Sequence, residues 1–146
     1  MSALSWLEHY IVGDQLLFMA LRDAVESDAD RLAGLADTPT DVMRNLVHDR
    51  TVRVLERDGE TAGFVSYDAQ DQTIHITQIE GQPEDIETLL AEPVRFAREE
   101  EMTVELLIPE PDSATEEAAS AAGFEIVGRG PTFDGEPTRR FRTEPS

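Results

Sequence analysis

AASAAGFEIVGRG, residues 118–130, joins a small-residue helix to a strand through a glycine. Small residues carry a helix over residues 113–122, Gly123 ends it, and a strand begins at Phe124. Glycine reaches the left-handed conformation that closes a helix without the Cβ penalty other residues meet. Phe124 and Ile126 alternate with Glu125, the period-two pattern of a strand buried on one face. Gly128 and Gly130 close that strand.

Upstream, the period of the apolar residues sorts the chain into elements. Ser5-Trp6-Leu7-Glu8 has the spacing of a capping box, and Leu7, Tyr10 and Ile11 share a helical face before Gly13, so a short helix is expected over residues 5–12. Residues 16–22 are apolar and read as a strand. Ser27 is placed to cap a helix carrying Ala29, Leu32, Ala33 and Ala36. Pro39 sits where a first helical turn accepts it, ahead of a stripe of Val42, Met43, Leu46 and Val47. From Thr51 the period becomes two. Val52 and Val54 alternate with Arg53, Asp58-Gly59 is a hairpin turn, and residues 62–67 return. Asp68-Ala69-Gln70-Asp71 turns into a third antiparallel strand over 73–80. Residues 84–101 form a long helix with Ile86, Leu89, Leu90, Val94 and Ala97 inward, and Pro93 is expected to kink or restart it. A buried strand over 103–109, the small-residue helix, its strand, and a last strand over 138–143 after an Asp134-Gly135 turn complete the order. The expected division is a helical extension over 1–14, one domain over 15–143 and a loose tail over 144–146.

The order from residue 15 is strand, two helices, three strands, helix, strand, helix, two strands. With the Gly123-Phe124 junction, it resembles the GNAT superfamily of acyl-CoA N-acyltransferases over residues 15–143. The resemblance implies a single α/β (α+β) domain: a mixed, mostly antiparallel central sheet of about six or seven strands flanked by helices. It implies acyl transfer from acetyl-CoA or another acyl-CoA to an amine, on a small molecule or a peptide, by direct attack.

In that family the pyrophosphate of the co-substrate rests on backbone N–H groups at the N-terminus of the long helix, within an Arg/Gln-x-x-Gly-x-Gly/Ala loop. Free amides and the helix dipole favour an anion there, and glycines let it approach. The corresponding residues, 79–87, read Ile-Glu-Gly-Gln-Pro-Glu-Asp-Ile-Glu. Aligning Leu89 and Leu90 with the family's leucines puts Gly81, Glu84 and Ile86 at the three motif positions. Sliding by one brings in Gln82 but leaves Asp85 and Glu87 where glycines belong. The backbone of Gln78, Ile79, Gly81, Gln82 and Asp85 is the implied cofactor contact, in a loop whose Glu80, Glu84, Asp85 and Glu87 would face a pyrophosphate. Acids in a first turn also stabilise a helix by about 0.3–1 kcal/mol each. The family's Tyr, a general acid four residues before the junction glycine, corresponds to Ala119, and its Asn at the start of that helix to Asp112. As general base, Glu80 at the end of its strand is the first candidate and His75 the second. Each has a structural reading too: Glu80 as a loop or first-turn carboxylate, and His75, alternating with Ile74 and Ile76, as a packed strand residue on the opposite face. Two functions are open, an acyl-CoA N-acyltransferase and a non-catalytic binding or interaction protein that kept the scaffold but lost the loop and the acid.

Composition narrows the partners. The chain has 31 acidic residues against 12 basic ones, all Arg, and a net charge of -19. This composition resembles proteins of salt-in halophiles, above all haloarchaea, and the acids are spread along the chain rather than gathered in one block. Nucleic-acid binding needs a basic footprint, so it is not expected. No apolar run reaches the roughly 20 residues of a membrane span. The first twelve residues lack the basic region of a secretory signal, which favours the cytoplasm. There is no Cys. The three His show no metal-ligand spacing, and residues 23–30 lack the glycine of a calcium loop, so no metal is expected. Arg129, Arg139, Arg140 and Arg142 gather cation near the C-terminus, either for a phosphate or carboxylate or to neutralise neighbouring acids. The apolar face of the 5–12 helix is expected to dock in cis or across a homodimer. The acidity carries a prediction of its own. Self-repulsion of the compact state is screened as the Debye length falls to about 3 Å near molar salt. The melting temperature should therefore rise between about 0.1 M and 1 M KCl; a flat or falling trend would refute the halophilic reading.

Overall fold

Asp58 and Gly59 both take positive φ, 52° and 84°, the geometry of a type I′ hairpin. They join β3 (Thr51–Arg57) to β4 (Glu60–Gln70) in the computed structural model of the chain. The structure describes residues 4–12, 15–132 and 135–144, with side chains from Met19 onward. Gly13, Asp134, residues 1–3 and residues 145–146 of the expected loose tail over 144–146 lie outside the described residues; Glu144, its first residue, pairs with Arg142 at 2.9 Å. The next hairpin turns at Asp71 and Gln72, φ 53° and 62°, rather than at residues 68–71, because β4 keeps pairing as far as Gln70↔Thr73. β5 (Thr73–Glu80) follows, then α3 (Pro83–Glu100), β6 (Thr103–Pro109), α4 (Ser113–Ala121), β7 (Glu125–Arg129) and β8 (Thr138–Thr143).

Ahead of these lie β1 (Leu4–Val12), β2 (Gln15–Asp23), a 3₁₀ turn (Glu26–Asp28), α1 (Ala29–Ala36) and α2 (Thr40–Asp49). The helix expected over residues 5–12 is thus a strand. It pairs antiparallel with β2 from Leu4↔Arg22 to Val12↔Gln15, a tertiary interaction that helical spacing does not register. With it the sheet has eight strands, in the order β1-β2-β3-β4-β5-β6-β8-β7. Among the described strands, only β5 and β6 pair in parallel. Parallel neighbours need a crossover, and α3 is that crossover.

The sheet buries both faces. On one side Leu55, Val65, Tyr67, Ile74 and Ile76 pack with Ile86, Leu89, Leu90 and Val94 of α3 and with Ala118 and Ala119 of α4. On the other, Val52, Val54 and Phe64 pack with Leu32, Ala33 and Met43 of α1 and α2. Val42, expected in that stripe, is exposed. Asp28, not Ser27, tethers the start of α1: its carboxylate accepts from Val25 N–H at 2.8 Å and pairs with Arg22 at 2.8 Å. α3 runs unbroken through the buried Pro93. Two ion pairs fasten its underside to β3, Arg57 with Asp85 and Arg53 with Glu92.

At the opening stretch, Phe124 N–H donates to Ala119 O at 2.9 Å and Gly123 N–H to Ser120 O at 3.1 Å, with Gly123 at φ 98°. This is the Schellman closure of a helix, and the buried Phe124 is its apolar anchor. Ile126, expected to be buried, is exposed because β7 lies at the edge of the sheet.

Gly63 decides how closely β4 meets the end of β5. A Cβ there would lie 2.4 Å from Glu80 O and 3.1 Å from Leu89 Cδ1. Gly63→Ala should cost about 1–3 kcal/mol through forced displacement of β5. Gly34→Ala, on α1 with nothing within 4 Å of the added Cβ, should gain about 1 kcal/mol by helix propensity. Urea denaturation reads both, and equal effects of the same sign would contradict this packing.

Candidate active site

β5 and β6 keep parallel register for only four pairs, Thr73↔Thr103 to Ile76↔Leu106. Both strands continue, β5 to Glu80 and β6 to Pro109, but they no longer pair with each other. The gap is a cleft of about 560 Å³, lined by His75 to Glu80, Glu105 to Pro109, Asp112 and Thr115 of α4, and Thr138 and Arg140 of β8. A larger hollow of about 800 Å³ runs along α3, lined by Glu84, Glu87, Thr88, Arg95 and Arg98 among others. That hollow is bordered by helix side chains. The cleft instead exposes strand backbone left without a β-partner, so it can offer N–H and C=O groups to a ligand.

A bulge sets which side chains reach the cleft together. Ser66 pairs with Gln78 and Tyr67 with Ile76, leaving Thr77 as the extra residue of β5. Its hydroxyl lies 2.6 Å from that of the buried Ser66. Strict alternation would place Glu80 on the face of Ile74 and Ile76. After the bulge it is Ile79 that packs into that core, while Glu80 stands opposite Phe64 on the other face. Glu80 and His75, the two candidate bases, therefore share a face. Bulges recur beside active sites because they re-aim side chains in this way.

Burial pushes the Glu80 carboxyl above the usual carboxylate range. A hydrogen bond from Gln78 opposes the shift, and the nearby Asp112 adds to it. Asp112 caps α4, accepting from Thr115 N–H at 3.2 Å and Thr115 Oγ1 at 2.6 Å. His75 is half-exposed, with Nδ1 4.0 Å from Glu105. Glu105 also takes Arg140 at 3.3 Å and Arg142 at 3.5 Å, and Arg139 pairs with Glu116 at 3.4 Å. Three of the four C-terminal arginines thus neutralise neighbouring acids.

The start of α3 is less open to an anion. Pro83, its first residue, has no N–H. Asp85 N–H donates to Gln82 O at 2.8 Å, and Ile86 N–H shares that acceptor at 3.1 Å. The Asp85 side chain is 1% exposed and turned inward to Arg57, away from any ligand at the helix end. A Cβ at Gly81 would lie 3.3 Å from Asp85 Cβ and 3.4 Å from Leu89 Cδ1, so the loop leaves little room for a side chain there. Of the sequence candidates, His75, Gln78, Ile79 and Glu80 line the cleft, while Gly81, Gln82 and Asp85 are not among its lining residues. Ala119 is fully buried, and no tyrosine lines the cleft among the described residues. Among the described residues no group of three or more His, Asp or Glu side chains could hold a metal ion, and no helix is long and apolar enough to cross a membrane. Sequence reasoning passed over Glu105, whose pairing with His75 and two arginines depends on strand order alone.

No protein-family profile matches the chain, and no curated protein matches it by sequence. Its likeness is to solved structures. The ribosomal-protein-S18-alanine N-acetyltransferase of Escherichia coli superposes with a TM-score of 0.73 at 14% identity, covering 88% of this chain and 94% of that one. An acetyltransferase of the GNAT family from Streptococcus pneumoniae gives 0.69 at 14% identity, over 88% and 99%. A Salmonella typhimurium protein solved with its cofactor acetyl-CoA gives 0.73 at 15%, over 88% and 94%. Over 88% of its length the chain thus has the fold of these GNAT acetyltransferases.

Proposed function

We propose that the chain is an acyl-CoA-dependent N-acyltransferase that moves an acetyl or related acyl group to the amine of a small molecule or peptide. The observation that carries this is the β5/β6 cleft, with unpaired strand backbone along its wall and Glu80 at its rim. A thioester laid in the gap would meet the N–H groups of the parted strands. Donors aimed at its carbonyl would stabilise the oxyanion formed on attack. The amine nitrogen bonds to the carbonyl carbon, the C–S bond breaks, and the amine proton passes to the Glu80 carboxylate, directly or through water. The leaving thiolate takes its proton from solvent, since Ala119 supplies no acid. A half-buried carboxylate with a raised pKa is a better proton acceptor than an ordinary surface glutamate. The similar structure solved with acetyl-CoA supports the co-substrate.

The start of α3 favours a second reading, a non-catalytic GNAT-fold binding or interaction protein. Pro83, the committed Asp85 amide and the outward acids Glu84 and Glu87 leave little for a pyrophosphate. Melting with and without millimolar acetyl-CoA in near-molar KCl separates the two. Ligand at about 100 times its Kd adds about 2.7 kcal/mol of stability. A clear upward shift is expected, and Glu84→Gly should enlarge it by removing like charge. No shift with any acyl-CoA would select the non-catalytic reading.

Glu80 makes a paired prediction. Glu80→Gln should lower turnover by about 10²–10⁴-fold, and the acid limb of the wild-type pH–rate profile should lie above the ordinary Glu value of about 4.3. Stability should move the other way. A carboxyl whose pKa is higher folded than unfolded binds its proton more tightly in the native state. Its destabilisation therefore develops as pH rises from the unfolded value through the folded one, and it persists at neutral pH. Glu80→Gln should then melt no lower than wild type at pH 7. A variant that loses both stability and activity would point to a structural role.

A further inference from the structure

The sheet ends at β7, whose five residues, Glu125-Ile126-Val127-Gly128-Arg129, are all exposed. Ile126 and Val127, adjacent here, are two of the six large apolar side chains exposed among the described residues, at 55% and 52%. Edge strands are commonly protected by Lys or Pro, and this one has neither. Glu125 and Arg129 at its two ends enter none of the ion pairs of the described residues. Arg139, Arg140 and Arg142 of the neighbouring β8 are taken up by Glu105, Glu110, Glu116 and Glu144, so the charges this edge offers to a second copy are Glu125 and Arg129.

We infer that β7 is a homodimer interface, pairing antiparallel with β7 of a second copy about a two-fold axis at Val127. In that register the strand is complementary to itself. Glu125 faces Arg129 of the second copy at both ends, and Val127 meets its own counterpart. Ile126 lies over Gly128, which has no side chain to obstruct it. A two-fold contact must be self-complementary in this sense, and opposite charges directly across a strand pair are stabilising where like charges are not. The bulge at Val127, where Ile126 pairs with Phe141 and Gly128 with Arg140, turns the strand out of the β8 ladder and presents both apolar side chains. A contact this short falls below the usual size of a permanent interface, so the dimer is weak and exchanges with monomer.

Sedimentation equilibrium of the full chain tests this in the lowest KCl that keeps it folded. Wild type should approach twice the chain mass at high protein concentration. Arg129→Glu should weaken the dimer by about tenfold or more, because like charges then face each other at both ends. Glu125→Arg in the Arg129→Glu background reverses both ends and should restore it. Val127→Asp, which sets two carboxylates on the axis, should give monomer even in molar KCl, with a melting temperature close to that of wild type because the side chain is exposed. A wild-type chain that stays monomeric up to its solubility limit, or a dimer indifferent to Arg129→Glu and Val127→Asp, would overturn the inference.

Discussion

The early end of the parallel pairing between β5 and β6 is the constraint on which the rest of the structure depends. Four residue pairs hold the two strands, and then they part. Antiparallel neighbours can be joined by a tight turn, whereas parallel ones require a crossover. The chain spends its longest helix on that connection, and α3 brings Ile86, Leu89, Leu90 and Val94 down on the sheet beside the gap. α4 and β8 close the far side through Asp112, Thr115, Thr138 and Arg140. The cleft is therefore a product of topology, and it needs no insertion or lid.

Charge shapes the same region. The chain carries an excess of acid yet buries Asp85 and Glu92 beneath α3, each against an arginine of β3. Breaking such a pair by removing one partner strands a buried charge and costs about 3–5 kcal/mol. The pairs fix the position of α3 over the sheet and turn Asp85 inward, so the start of the helix presents fewer acids to a ligand than its sequence suggests. They also take up the geometry that an anion-binding loop would use.

The parts of this arrangement that are local were legible in the residues. Gly123 and Phe124 form a Schellman closure because a helix end needs a left-handed residue followed by an apolar one. Asp58-Gly59 turns as its composition requires. Long-range features were not legible. Leu7, Tyr10 and Ile11 fit a helical face, yet their segment pairs with β2. Ile126 alternates like a buried residue, yet edge position leaves it exposed. The bulge at Thr77 has no glycine or proline to announce it, and it alone puts Glu80 and His75 on one face. Glu80 could be chosen from its place at the strand end, but Asp112, the second carboxylate that raises its pKa, comes from across the cleft.

Backbone amide shifts during an acetyl-CoA titration in near-molar KCl report whether the parted strands receive the acyl thioester. If they do, saturable changes concentrate at residues 77–80 and 107–109, with little change on α1 and α2. Changes confined to the outer side of α3, or none at any concentration, would contradict binding there.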